Sequence, residues 1–201
     1  MANHGQRRAQ ILTTAQQLFA EQGFANTTTR QLNQTVGIAD GLLYYYFPKG
    51  KQQLLDTIVA QGVAARLDNV DLTLNGATDL ATLEAKLMTI MGRLWALLTS
   101  PEGYQVFIIT IRERPRLSQE AADWLPHVMA EARTRIATGL EQLTWLILDE
   151  PATIQLAGMI FAIFQATLYS ELLVTDQRRL TDASRERLQA QLHFLLTSIA
   201  A

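Results

Sequence analysis

The chain has 201 residues, 48% apolar and 18% charged, with a formal net charge of −2 and no cysteine. This length can bury the cores of one small and one larger domain, and the lack of thiols excludes disulfides and thiolate metal sites. With neither a signal peptide nor a basic, apolar leader visible, a reducing cytoplasm is the expected compartment. The near-balanced charge argues against indiscriminate nucleic-acid binding, but it is uneven: residues 1–60 hold five basic groups (Arg7, Arg8, Arg30, Lys49, Lys51) and three acidic ones, while the remainder nets −4.

In chain order, Ile11, Leu12, Ala15, Leu18 and Phe19 form a helical stripe ended by Gly23, predicting a helix over about residues 5–22. Residues 27–51, TTTRQLNQTVGIADGLLYYYFPKGK, then read as two short helices around a tight turn. Leu32, Val36, Ile38, Leu43 and Tyr46 fall where two steeply crossed helices face a shared core. Gly37 sits where the reversing chain needs positive φ, which a Cβ makes costly. Thr27 or Thr28 can cap the first helix, and Asp40 and Gly41 open the second, whose N-terminal residues would meet base edges in a major groove. A further helix is expected over about residues 51–67.

These residues resemble the tetracycline-repressor (TetR) family of bacterial transcriptional regulators. The likeness is carried by ILTTAQQLFAEQGFANTTTRQL and VGIADGLLYYYFPKGKQQLL, about a quarter of the chain. Leu18-Phe19, Gly23-Phe24, Thr27-Thr28, Gly37, Leu43-Tyr44, Tyr46-Phe47 and Lys51 stand in family order and spacing. The resemblance implies an all-α fold: a helix-turn-helix DNA-binding domain at residues 1–50 and a helical ligand-binding and dimerisation domain at residues 51–201.

Within the first domain, Thr28, Arg30 and Lys51 are expected on phosphates, since hydroxyl, guanidinium and ammonium groups position a protein on DNA without reading sequence. The resemblance implies that Tyr44 and Tyr45 contact phosphate or sugar, while Tyr46 and Phe47 fill core. Ala39, Asp40, Gly41 and Leu42 are the groove-facing candidates. Here the chain departs from the family pattern, which favours small hydroxyl residues at positions 39 and 42 and lysine at 40. Leu42 could touch a thymine methyl; Asp40 could accept from a cytosine amino group or cap the helix. Asn33 stands where the family has alanine at the helix crossing.

Beyond residue 51, apolar stripes at helical period run through Leu54–Leu67, Leu80–Leu98, Tyr104–Ile111, Leu125–Leu148, Ile154–Leu173 and Leu188–Ile199. With breaks at Asn75-Gly76, Ser100-Pro101, Arg114-Pro115 and Glu150-Pro151, about nine or ten helices are expected in all. Pro126 should divide its stretch into a short helix to Trp124 and a long one after it. Residues 151–170 carry no charge and reach the length of a membrane span. Gln155, Gln165 and several small residues favour buried core or a subunit interface instead. The resemblance implies a four-helix bundle with a second subunit, built from about residues 152–175 and 181–200. Ile160, Phe164, Leu168, Leu188, Leu192, Leu195 and Ile199 are the interface candidates, though each set could pack within the subunit. A twofold dimer implies a near-palindromic operator.

The larger domain is expected, again through the resemblance, to hold a small and largely apolar effector. Met88, Met91, Trp95, Tyr104, Phe107, Ile111, Trp124, His127, Phe161 and Gln165 are the candidate pocket residues, with packed core as the alternative for each. Arg112, Glu113, Arg114 and Arg116 read as a solvated, mutually paired face. An enzyme is not expected, because the chain has no phosphate-binding glycine loop and no nucleophile elbow. No metal pair is apparent among His4, His127 and His193, and no cofactor is implied. The favoured reading is a homodimeric repressor released from a palindromic operator by its effector. The alternative is a ligand-binding or protein-interaction module of the same fold that has lost operator binding.

Overall fold

The computed structural model describes residues 4–67 and 70–199, and the side chains of all of these except 63–67, 124 and 125. Among the described residues the regular structure is helical throughout. The elements are α1 (His4–Gln22), α2 (Thr29–Val36), α3 (Leu42–Tyr46), α4 (Gly50–Leu67), α5 (Leu80–Thr99), α6 (Pro101–Arg112), α7 (Gln119–Glu141), α8 (Glu150–Leu168) and α9 (Asp182–Ser198). A 3-10 turn at Arg114–Arg116 follows α6, and a π-helical turn at Tyr169–Val174 follows α8.

Packing gathers the chain into two compact units, Met1–Asp68 with Ser100–Pro126, and Asn69–Thr99 with His127–Ala201. These differ from the division at residue 50 because α4 and α6 help to build the first unit's core. That core joins Ile11, Ala15 and Phe19 of α1, Leu32 and Val36 of α2, and Leu43 and Phe47 around α3. Leu54, Leu55, Ile58 and Val59 of α4 and Val106 and Ile109 of α6 complete it. Burying side chains of this size stabilises by about 1.5–3 kcal/mol each, so α6 is a structural member of the head. Ser100 caps α6, its hydroxyl oxygen accepting from Gly103 N at 3.1 Å, with Pro101 at the helix start.

In the second unit, α9 packs against both α5 and α8. Its Leu188, Leu192 and Leu196 are buried, as are Leu83, Leu87, Met91 and Trp95 of α5 and Leu156, Ile160 and Phe164 of α8. The π-helical turn puts two successive residues, Glu171 and Leu172, in the interior, and the Glu171 carboxylate is paired with Arg187 of α9.

Two expectations need correction. Pro126 lies inside an unbroken α7; it removes one backbone donor, and the helical turns on both sides keep theirs. Of the interface candidates, Ile160, Phe164, Leu188 and Leu192 are 0–3% exposed within a single chain, so they have no surface left to offer a second subunit. Leu168, Leu195 and Ile199 are half-buried. Among the described residues, the large apolar side chains that remain in solvent on these helices are Ile154, Met159 and Phe194. Glu150–Val174 is long and apolar enough by length and composition to cross a membrane, but Leu156, Ala157, Ile160 and Phe164 of its α8 face are buried by protein.

Candidate nucleic-acid interface

The first unit presents a helix-turn-helix. Thr28 caps α2, its hydroxyl oxygen accepting from Gln31 N at 3.1 Å and leaving the hydroxyl hydrogen free to donate outward. Gly37 closes α2 at φ 73° and its N–H bonds back to Gln34 O, while Ile38 N bonds to Asn33 O. This left-handed C-cap reverses the chain with no Cβ penalty. Ala39, Asp40, Gly41 and Leu42 are all exposed, as are Arg30, Tyr44 and Tyr45. Beneath them Leu43 and Phe47 are fully buried. The groove-facing candidates therefore lie together on the outer side of a packed turn.

The tyrosines are held from behind. A Cβ on Gly50, which has φ +59°, would stand 2.9 Å from Tyr44 Cε1, so the ring lies directly against that glycine. His4 of α1 packs at a tilt of 45° against Tyr46 with ring centroids 4.7 Å apart and meets Tyr45 edge-on at 5.7 Å. Arg8 covers the Phe47 ring at 4.9 Å. With these contacts in place Tyr44 and Tyr45 are still 51% and 67% exposed.

Lys51 takes a different place from the one expected. Its Nζ donates to Phe24 O at 2.7 Å and Thr27 O at 2.8 Å, and it sits 4.1 Å over the Phe24 ring. Two of its three donors are thus spent on the α1–α2 loop, and burial pushes its pKa below the usual lysine value. It braces the helix-turn-helix instead of reaching outward to a phosphate.

The same loop is held from its other side. Glu113, at the end of α6, accepts from Phe24 N at 3.1 Å and pairs with Arg116 at 2.9 Å. The Phe24 peptide is therefore gripped by a carboxylate on its N–H and an ammonium on its C=O. Gln16 of α1 adds a bond to Gln105 of α6 at 2.9 Å, and Gln52 of α4 one to Arg116 O at 2.8 Å. Glu113, read in the sequence as one of a solvated charge cluster, is 6% exposed. The available signal was a lone acid at the end of an apolar helix among Arg112, Arg114 and Arg116.

Asn33 and Asp40 face one another across the turn. Asn33 Nδ2 lies 3.2 Å from Asp40 Oδ1 and 3.3 Å from Asp40 O. Gly41 opens α3 with no side-chain cap, so the capping alternative for Asp40 falls away.

Residues 11–58 match the family model described as "Bacterial regulatory proteins, tetR family". Over this segment, about a quarter of the chain, the protein matches the TetR family. Among relatives, the HTH-type transcriptional regulator LmrA of Bacillus subtilis (strain 168) is 42% identical over 52 residues, 26% of this chain and 28% of that protein. The transcriptional repressor KstR2 of Rhodococcus jostii (strain RHA1) is 34% identical over 88 residues, 41% of each chain. The matches thus span well under half the length of these relatives. In fold, the SmeT–triclosan complex matches 96% of this chain and 90% of its own at TM-score 0.66 and 19% identity.

The effector-pocket candidates are divided between the units. Met88, Met91, Trp95, His127, Phe161 and Gln165 belong to the second unit, and Tyr104, Phe107 and Ile111 to the first; the Trp124 side chain lies outside the described residues. Met91 and Trp95 are packed core, and the Trp95 indole donates to Arg178 O at 3.3 Å. Arg133 covers Phe161 at 5.8 Å, Gln165 lies 3.7 Å from Met129 Sδ, and His127 is exposed. An open groove of about 610 Å³ in the second unit is lined by Asn75–Thr78 and Gln142–Trp145, and by none of these candidates.

Proposed function

We propose that this chain is a transcriptional regulator that binds a near-palindromic operator as a homodimer and is released by a small, largely apolar effector. The observation that carries the reading is the outer face of the helix-turn-helix. Arg30, Tyr44 and Tyr45 flank an exposed Asp40–Leu42 turn, an arrangement with phosphate contacts around a short base-reading segment. The names of its relatives support regulation: LmrA is a transcriptional regulator and KstR2 a transcriptional repressor.

The homodimer is supported by what the fold leaves uncovered. Ile154, Met159 and Phe194 are 56%, 41% and 76% exposed on α8 and α9, and a second copy would cover them where the buried candidates cannot. The structural neighbour SmeT is in complex with triclosan, which supports a small-molecule effector for this chain. An effector acts by preferring a conformation whose heads are wrongly spaced for DNA, since equal affinity for both states shifts nothing. Such a regulator works in the cytoplasm and has no catalytic role.

The test is binding of the purified protein to the duplex upstream of its own gene at two salt concentrations, with mass determined in the same buffers. A dimeric regulator binds tightly, loses affinity steeply as salt rises through counterion release, and weakens when Arg30→Ala and Tyr44→Phe are combined. Absence of binding at low salt refutes the regulator.

A further inference from the structure

Between Glu21 and Asp56 the sequence holds one acidic residue, Asp40, and it stands in the segment that a helix-turn-helix turns toward bases. Its neighbours Ile38, Ala39, Gly41, Leu42 and Leu43 carry no side-chain hydrogen-bonding group. Until Tyr44, Asp40 is therefore the one side chain of this segment able to make a hydrogen bond to a base edge. An ionised carboxylate only accepts. The major groove offers two base donors, the cytosine N4 amino and the adenine N6 amino. The adenine donor has the N7 acceptor beside it, which repels a carboxylate; the cytosine amino has no acceptor next to it on its own edge.

The structure also shows what holds the carboxylate. Asn33 is 2% exposed, its Nδ2 faces both Asp40 oxygen atoms named above, and its Oδ1 is buried without a partner. Exchanging the two amide atoms would set Oδ1 against the Asp40 oxygens, so Asp40 fixes the amide orientation. Asn33 thus keeps a buried acceptor unpaired while it restrains an exposed acid. That arrangement contributes to the direction in which Asp40 presents its carboxylate.

We propose that Asp40, positioned by Asn33, reads a cytosine at one position of each operator half-site, with Leu42 against the methyl of a nearby thymine. The proposal rests on the operator-binding reading above and deepens it. Asp40 is the base-reading residue and Asn33 a positioning residue.

The experiment is selection from a randomised duplex library by the full-length chain, its Asp40→Asn and Asp40→Ala variants, and Asn33→Ala, with Tm recorded for each. Wild type is expected to enrich cytosine at one position per half-site, preferring it by roughly tenfold over the other bases. Asp40→Asn, nearly isosteric and able both to donate and to accept, is expected to switch that position to adenine, the partner of asparagine. Asp40→Ala should lose the preference there and keep it elsewhere, and Asn33→Ala should weaken it without lowering Tm. If Asp40→Ala enriches the wild-type sequence and binds every duplex more tightly, Asp40 is only a repulsive charge and the proposal is overturned. If the wild type itself enriches no sequence, operator binding fails first, and the base-reading proposal with it.

Discussion

Removing the Glu113 carboxylate is the most direct way to ask whether α6 holds the DNA-binding head together. In Glu113→Ala, Phe24 N–H loses an acceptor now 3.1 Å away, and leaving such a donor unsatisfied costs about 1–3 kcal/mol. The Arg116 partner is half exposed, so its loss adds at most about 1 kcal/mol. The sum is about 1–4 kcal/mol. Glu113→Gln keeps an oxygen in place and gives up only the charge-assisted part, about 1 kcal/mol. For a chain of 150–250 residues, each kcal/mol lowers Tm by roughly 2–4 °C, and the alanine variant should unfold several degrees before the glutamine one. Urea unfolding and amide exchange at Phe24 would measure the global and local effects separately, with the Phe24 amide exchanging on the order of tenfold or more faster in Glu113→Ala. Equal unfolding free energies together with unchanged Phe24 protection would refute the clamp.

A Cβ at Gly62 of α4 would come within 2.6 and 2.7 Å of the two Val106 methyl carbons of α6, so Gly62→Ala should cost about 1–3 kcal/mol by overpacking, and a second change, Val106→Ala, should recover part of it in a double-mutant cycle. Asp71, which accepts from the Thr73 hydroxyl and N–H and from Arg93, has its pKa lowered from 3.8 to about 2; this stability is present above pH 3.8 and is lost as pH falls toward 2. An NMR titration of its carboxyl near 3.8 would contradict that, and Asp71→Asn should remove this part of the acid sensitivity. Asn33→Ala exchanges two long hydrogen bonds for relief of an unpartnered buried oxygen, so its unfolding free energy should stay within about 1 kcal/mol of wild type; a loss of several kcal/mol in urea unfolding would disprove the balance.

The helix-turn-helix was legible because its signals are local. A threonine cap, a glycine at the turn and apolar residues at fixed offsets specify α2 and α3 from a few neighbours in sequence. The outward place of Tyr44 and Tyr45 and the inward one of Phe47 came through the family resemblance instead, and the three are exposed and buried accordingly. The roles of Lys51 and Glu113 depend on Phe24, 27 and 89 residues away respectively, and no periodicity reports such a pairing. Four of the interface candidates are buried within the chain for a related cause: a stripe such as Leu188 and Leu192 shows that one face is apolar, but not whether the same chain or another covers it. The pocket candidates share a chemical type, which cannot place side chains from different helices around one cavity.

Because Val106 and Ile109 lie in the same core as Phe19 and Leu43, the head is assembled from two stretches of chain separated by residues 69–99. During synthesis the ribosome must release the whole of α5 and α6 before that core can close, so the N-terminal 60 or so residues emerge first with apolar surface awaiting a partner not yet made. A gene fragment ending at α4 would encode this incomplete state permanently, and grafting the DNA-binding head onto another effector domain would require carrying α6 with it.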